Sequence, residues 1–201
     1  MKSEFSRSIQ ENQADFGLSL NDDQINRLEA FYRLILEHNP LLHLVGPSSD
    51  EEFATRHILE SLSLLEHLSM QTKIADIGAG AGLPSLPCLV VREGLTAILI
   101  ESKEKKAKFL EEAVKRLGLT ERVTIVAKQF EETDAADSAF VTCRALDKFA
   151  QKLPRILKWS GERGLLFFGG ENLSKALQAK RVDFVQKLLP LSERRFLFIR
   201  K

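Results

Sequence analysis

Asp76-Ile77-Gly78-Ala79-Gly80-Ala81-Gly82-Leu83-Pro84 is the stretch that decides the fold. It continues a short apolar run, Ile74-Ala75-Asp76-Ile77, and leads into Leu86-Pro87-Cys88-Leu89-Val90-Val91. Glycines at alternate positions let the backbone turn sharply and let a ligand approach the main chain. Pro84 suits the first turn of a helix, where no N–H is needed. The stretch therefore reads as strand, glycine loop and helix. In an open α/β sheet that loop is where ligands bind, outside the carboxyl ends of the strands.

The same alternation continues downstream. Further strands are predicted at 96–100, 123–126, 139–142, 165–168 and 196–199, and helices at 84–92, 103–117, 147–158 and 172–180. Strands alternating with helices imply βαβ units and a mostly parallel sheet. Upstream the pattern is helical. Residues 1–20 are polar and weakly patterned, a frayed tail or a short helix. Asn21-Asp22-Asp23 supplies a cap and an acidic first turn, and Leu28, Phe31, Tyr32, Ile35 and Leu36 follow at helical spacing. Pro40 is expected to stop that helix. Ser49 or Asp50 caps a second one through about residue 69, with Phe53, His57, Leu64 and Leu68 near one face. The expected organisation is an N-terminal helical extension, residues 1–70, on an α/β domain, residues 71–201, forming one structural unit.

Composition narrows the class. The chain has 201 residues, 44% hydrophobic and 28% charged, which argues against disorder of the whole chain. Its longest apolar run stops at Arg92, well short of the ~20 residues of a membrane helix. The N-terminus has no signal-peptide pattern, and two cysteines are too few for a disulfide framework. A cytoplasmic protein with no metal site and no membrane partner is expected. Residues 1–70 carry 5 basic and 12 acidic residues, and residues 71–201 carry 24 and 16. A basic body behind an acidic N-terminal third suits a polyanion; segregation of solvated surface charge is the alternative.

The loop is not a dinucleotide fingerprint. That pattern needs glycine at relative positions one, three and six, and the sixth place is Leu83 counted from Gly78 or Ser85 counted from Gly80. A carboxylate at Asp76 would also repel a pyrophosphate. It suits a cationic group, and S-adenosylmethionine has an ammonium, a sulfonium and no phosphate. Asp76, Gly78, Gly80 and Gly82 thus resemble the D-x-G-x-G-x-G of class I methyltransferases. Glu101 ends the second strand 19 residues past Gly82, where an acid can accept from both ribose hydroxyls. The alternative for Glu101 is a helix cap. Phe130-Glu131-Glu132, after the third strand, falls where adenine should lie.

Together with Arg56-His57-Ile58-Leu59-Glu60-Ser61-Leu62, Leu83-Pro84-Ser85-Leu86-Pro87, Lys105-Lys106 with Phe109-Leu110, and Val141-Thr142-Cys143-Arg144-Ala145, the chain resembles the glucose-inhibited division protein B family. These are the small-subunit ribosomal RNA methyltransferases G, which make N7-methylguanosine in the 530 loop of 16S rRNA. The resemblance spans about residues 39–201. It implies a class I, Rossmann-like fold with a mostly parallel seven-stranded sheet and helices on both faces. It also implies S-adenosyl-L-methionine as cofactor, 16S rRNA or the 30S subunit as partner, and a monomer. Carried over by position, it implies cofactor contacts at Gly78, Leu83, the Phe130–Glu131 backbone and Arg144, and places Arg144 and Arg195 near cofactor or RNA. The chain departs from the family at His43, Gln129, Ala139, Cys143, Ser85 and Gly169.

Guanine N7 carries a lone pair and no proton, so the expected chemistry needs alignment rather than a general base. His57, Glu60 and Arg144 are the candidate active-site residues. Glu60 would stabilise the cationic product only if its segment folds over the site, and otherwise reads as a solvated helix acid. His57 reads either as a core histidine or as a residue bordering the site. Lys105, Lys106 and Arg195 are RNA-phosphate candidates, against a solvated helix face with Glu104–Lys108 pairing. A small-molecule or protein methyltransferase, or a non-catalytic RNA-binding relic, are the competing functions.

Overall fold

The computed structural model describes residues 2–201. Seven strands form one sheet: β1 Lys73–Ile77, β2 Thr96–Ile100, β3 Val123–Val126, β4 Phe140–Cys143, β5 Gly164–Gly169, β6 Val185–Leu188 and β7 Phe196–Arg200. Their order is β3-β2-β1-β4-β5-β7-β6. The first five run parallel, and β7 is antiparallel to both its neighbours. Strand order reverses between β1 and β4, which makes their carboxyl ends the topological switch point.

Alternation within each strand sends side chains to two cores. Ile74, Ala97, Leu99, Leu166, Phe168, Leu197 and Ile199 face one layer. Ala75, Ile77, Ile98, Ile100, Leu165, Phe167 and Phe198 face the other. The second layer is built by α7 Phe149–Ser160 and α8 Glu171–Ala179, through Leu153, Ile156, Leu173 and Leu177. The first holds α5 Ser85–Val91 and α6 Glu104–Arg116 together with the N-terminal helices.

Those helices are α1 Glu4–Asn12, a 3-10 turn Gln13–Phe16, and α2 Asp22–Leu42. Residues 50–66 follow as one continuous helical segment: α3 Asp50–Glu52, a π-helical stretch Phe53–Leu59, α4 Glu60–Leu62 and a 3-10 turn Ser63–Glu66. Asn21 is the expected cap at the start of α2, and with Gln24 it forms a full capping box. Ser49 caps the second segment, accepting from the Glu52 N–H. Residues 4–16 are helical rather than a tail: Phe5 is fully buried, stacked 4.7 Å from Tyr32.

One expectation fails locally, and one strand has no signal in the sequence. The α2 helix continues through Pro40 to Leu42. A proline in the last turn removes only one ladder bond, and the Asn39 side chain closes that end by accepting from Leu44 and Val45 N–H. Strand β6 carries no period-two signal in its sequence. Every residue of it is exposed and it pairs with β7 alone, so it has no buried face to impose a period-two pattern.

Candidate functional site

The glycine loop folds back across the end of β2. The N–H groups of Gly78 and Ala79 donate to the Ile100 carbonyl at 2.8 and 3.1 Å. Gly78, Gly80 and Gly82 all take positive φ, at 70°, 52° and 82°. A side chain at Gly78 would meet Leu146 at 2.6 Å, and one at Gly82 would meet Leu86 at 2.4 Å. At Gly80 a side chain would make only ordinary contact, 3.6 Å from the Gly78 carbonyl oxygen, so the left-handed backbone is what requires glycine there.

Glu101 is buried and holds this loop in place. One carboxylate oxygen accepts from the Gly80 N–H at 3.0 Å and the other from the Lys103 N–H at 2.8 Å. The acid is therefore tied to the start of α6 and also faces the loop. Each carboxylate oxygen has capacity for a further donor.

A cleft of about 530 Å³ opens at this carboxyl edge. It is lined by Gly78, Gly80, Leu83, Glu101, Lys106 and Arg144, among others. The volume lies within the range of small-molecule and cofactor sites. The lining suits a nucleoside with polar hydroxyls and a charged amino-acid tail. It holds the Glu101 acid, and its loop N–H groups at Gly78, Ala79 and Gly80 are committed to Ile100 and Glu101 rather than free for a pyrophosphate.

Several candidates sit elsewhere than expected. Asp76 is wholly buried beneath the loop and does not line the cleft. One oxygen accepts from the Ser85 hydroxyl at 2.6 Å, and Oδ1 has no partner. Burial pushes its pKa up to about 7, against the hydrogen bonds from Ser85. Asp76 thus anchors the loop to α5 instead of meeting a cationic ligand directly. Gly82 turns toward α5 and is also outside the lining. Phe130 is buried with its ring edge-on to Trp159, and Glu131 pairs with Arg155 at 2.8 Å; neither lines the cleft. Lys106 does line it, and its Nζ donates to the His43 carbonyl at 3.2 Å. Lys105 is exposed, and Lys108 pairs with Glu104 at 2.7 Å as the helix-face alternative anticipated.

A second cavity of about 530 Å³ adjoins the cleft and shares the wall made by Arg56, His57, Arg144, Ala145 and Leu146. Its far side carries Phe149, Phe168, Asn172 and Arg195. Glu60 is buried there, which overturns its reading as a solvated helix acid. It also overturns the free carboxylate expected to stabilise a cation, because both oxygens are engaged. Arg144 Nη2 donates to Oε2 at 3.0 Å and Arg195 Nε donates to Oε1 at 2.6 Å. Arg195 accordingly enters the site as a partner of Glu60, not as a free phosphate contact. Arg144 also lies 5.1 Å over the Phe168 ring. Burial lowers its pKa, and the Glu60 charge opposes that shift.

His57 is half-buried against Phe53, at 4.9 Å between ring centroids, and borders both cavities. Burial first, then the nearby arginines, lowers its pKa to about 3, so it is neutral at physiological pH. Cys88 and Cys143 are buried and their thiols are pushed up, away from nucleophilic use. Sequence reasoning missed Ser85 as the partner of Asp76, and Phe149 and Phe168 as walls of the second cavity. A residue's alternation assigns it to a sheet face, but not to the end of that face where a cavity opens.

The sheet order with its antiparallel β7, and the glycine loop and acid at the switch point, define a Rossmann-like methyltransferase fold. The mitomycin 7-O-methyltransferase MmcR has the same fold. It matches with a TM-score of 0.59 at 15% identity, covering 99% of this chain and 69% of that one. The particular family follows from sequence: the chain belongs to the rRNA small subunit methyltransferase G (GidB) family, whose model matches residues 24–192. A ribosomal RNA small subunit methyltransferase G of Halorhodospira halophila is 33% identical over 84% of this chain and 76% of its own length. One from Pelotomaculum thermopropionicum is 38% identical over 56% of this chain. In that alignment the chain spans about half, 48%, of the relative's length. Among the described residues, no helix is long and apolar enough to cross a membrane.

Proposed function

We propose that this protein methylates guanine N7 in 16S rRNA of the small ribosomal subunit, with S-adenosylmethionine as donor. The observation that carries the reading is the family match over residues 24–192, which includes every cleft-lining residue named above. When bound, the cofactor supplies a methyl group activated by a sulfonium. Glu101, Gly78, Gly80 and Leu83 would hold it, with Arg144 and Lys106 also lining the cleft.

The chain's own residues then have to align and shield. Guanine N7 has a lone pair in place and no proton to lose, so no residue must act as a base. Neutral His57 fits that demand, since it adds no charge beside the transfer. The apolar side chains Phe149, Phe168 and Leu146 line the cavity next to the cleft and would shield a bound base from water. Orientation of two bound reactants supplies much of the rate enhancement in such a step. The likeness to MmcR is one of fold and does not choose among acceptors.

The test supplies methyl-labelled S-adenosylmethionine with 16S rRNA or 30S particles, followed by nucleoside analysis. Label in N7-methylguanosine at one position is expected. Gly80→Val should remove S-adenosylhomocysteine binding while the protein still folds, because the left-handed loop cannot be kept. Binding of NAD with no response to S-adenosylhomocysteine would overturn the reading. Label in small metabolites but not in rRNA would move the acceptor.

A further inference from the structure

The Glu60 carboxylate sits between two guanidiniums and takes no part in the chemistry described above. It is nearly inaccessible, at 1% exposure. Its partners come from distant parts of the chain: Arg144 follows β4, and Arg195 precedes β7. The cluster is thus the point where the helical segment 50–66, the end of β4 and the turn before β7 are tied together.

Two physical arguments separate this cluster from ordinary packing. First, buried ion pairs are poor sources of stability, because desolvation offsets the attraction and apolar replacements often stabilise more. A single carboxylate between two guanidiniums also leaves one net positive charge in the cluster. Second, the arrangement constrains one side chain from every direction. Arg144 donates to Glu60 at 3.0 Å, to the Arg56 carbonyl at 2.5 Å and to the Ser61 hydroxyl at 3.3 Å, and its face lies over Phe168. Ser61 in turn donates to the His57 carbonyl at 2.5 Å. Arg144 is also part of the wall common to the cofactor cleft and the adjoining cavity. The carbonyl it grips belongs to the π-helical stretch Phe53–Leu59, a geometry frequent at functional sites.

We propose that Glu60 is a positioning residue: it fixes Arg144 in the wall between the cofactor cleft and the adjoining cavity, which would take the acceptor base, so that the two reactants meet in line. This rests on the functional reading above. Both carboxylate oxygens of Glu60 are taken up by Arg144 and Arg195, so its effect passes through those two side chains.

The experiment measures kcat on 30S particles or 16S rRNA, at saturating donor and acceptor, per folded molecule. Glu60→Asp keeps the charge and shortens the reach by one methylene. Since misplacement by about 1 Å can cost ~10²-fold, kcat should fall about tenfold or more, with S-adenosylhomocysteine affinity and the RNA KM within about threefold. Glu60→Gln keeps the reach and loses the charge, and should fall at least as far. Arg195→Lys, at a partly exposed position, keeps the test open if both Glu60 variants misfold; it retains charge without the Nε donor, and kcat should fall in the same way. A role in folding alone predicts a lower melting temperature with kcat per folded molecule unchanged, and that result overturns the proposal. A wild type inert on both substrates overturns the functional reading and this assignment together. An active wild type with unaffected variants overturns this assignment only.

Discussion

Glu101 and Asp76 are the two acids nearest the glycine loop, and the structure gives them different work. Glu101 lines the cleft, and Asp76 lies beneath it. Replacing Glu101 by Gln keeps one acceptor and places an amide donor against the Gly80 or Lys103 N–H. S-adenosylhomocysteine affinity should weaken by about 1–3 kcal/mol, the scale of lost hydrogen bonds to a charged group. Calorimetry checks this, and an unchanged affinity would leave Glu101 as a loop and helix tether only. For Asp76 the observable is pH. Its pKa rises from 3.8 to about 7 on folding, so the folded state holds the proton more tightly than the unfolded state. Its contribution to stability is fully present below about pH 4 and is lost as pH rises toward 7. Wild type should therefore lose stability relative to Asp76→Asn across that window, by on the order of a few kcal/mol. Urea unfolding at pH 4.5 and pH 8 measures it, and equal slopes for both proteins would refute the assignment.

At the scale of elements, the N-terminal helix shows what sequence patterning could and could not reveal. Residues 4–12 contain only Phe5 and Ile9 as large apolar residues, too few for a clear helical period. Both are fully buried, because α1 lays them on a face already formed by Tyr32 and Phe53. Tyr32 also donates to Asp50 at 2.6 Å, linking α2 to the segment that carries His57 and Glu60. Phe5→Ala should destabilise by about 3–5 kcal/mol, the usual cost of a phenylalanine-sized core deletion. Thermal or urea unfolding would show it, and a loss below about 1 kcal/mol would mean that α1 is not integral to the core. The glycine loop lay at the opposite extreme. Its strand, its turn and its helix start are each written in residue types with little choice of backbone, so local chemistry sufficed. The π-helical stretch had no such signal, since its wider turn is held by packing and not by any residue type.

Taken whole, the molecule concentrates positive charge after residue 70, with 24 basic against 16 acidic residues. If that surface meets rRNA phosphates, affinity should fall along a steep straight line in a log–log plot against salt, as counterions are released. Lys105 is the clean probe, being exposed and outside the cofactor cleft. Lys105→Glu should weaken RNA binding and flatten the slope while S-adenosylhomocysteine affinity stays unchanged. Lys106 would confound the test, because it borders the cleft. A slope identical to wild type would remove Lys105 from the interface.

The α/β alternation, the glycine loop and the acid at the end of the second strand are all legible in the residues alone. Each depends on short-range rules: period-two burial, left-handed backbone at glycine, and the fixed distance from one strand end to the next. The sequence also carries the family motif with Arg56, His57 and Glu60. Which groups surround those motif residues depends on the folded chain. Glu60 reads as a surface acid along its helix, and it becomes buried because Arg144 and Arg195 arrive from residues more than eighty positions away. Asp76 reads as a ligand contact, and it is withdrawn because Ser85 returns over it from the next helix. A carboxylate's role is set by which donors reach it and how much water remains, and both are properties of the folded chain.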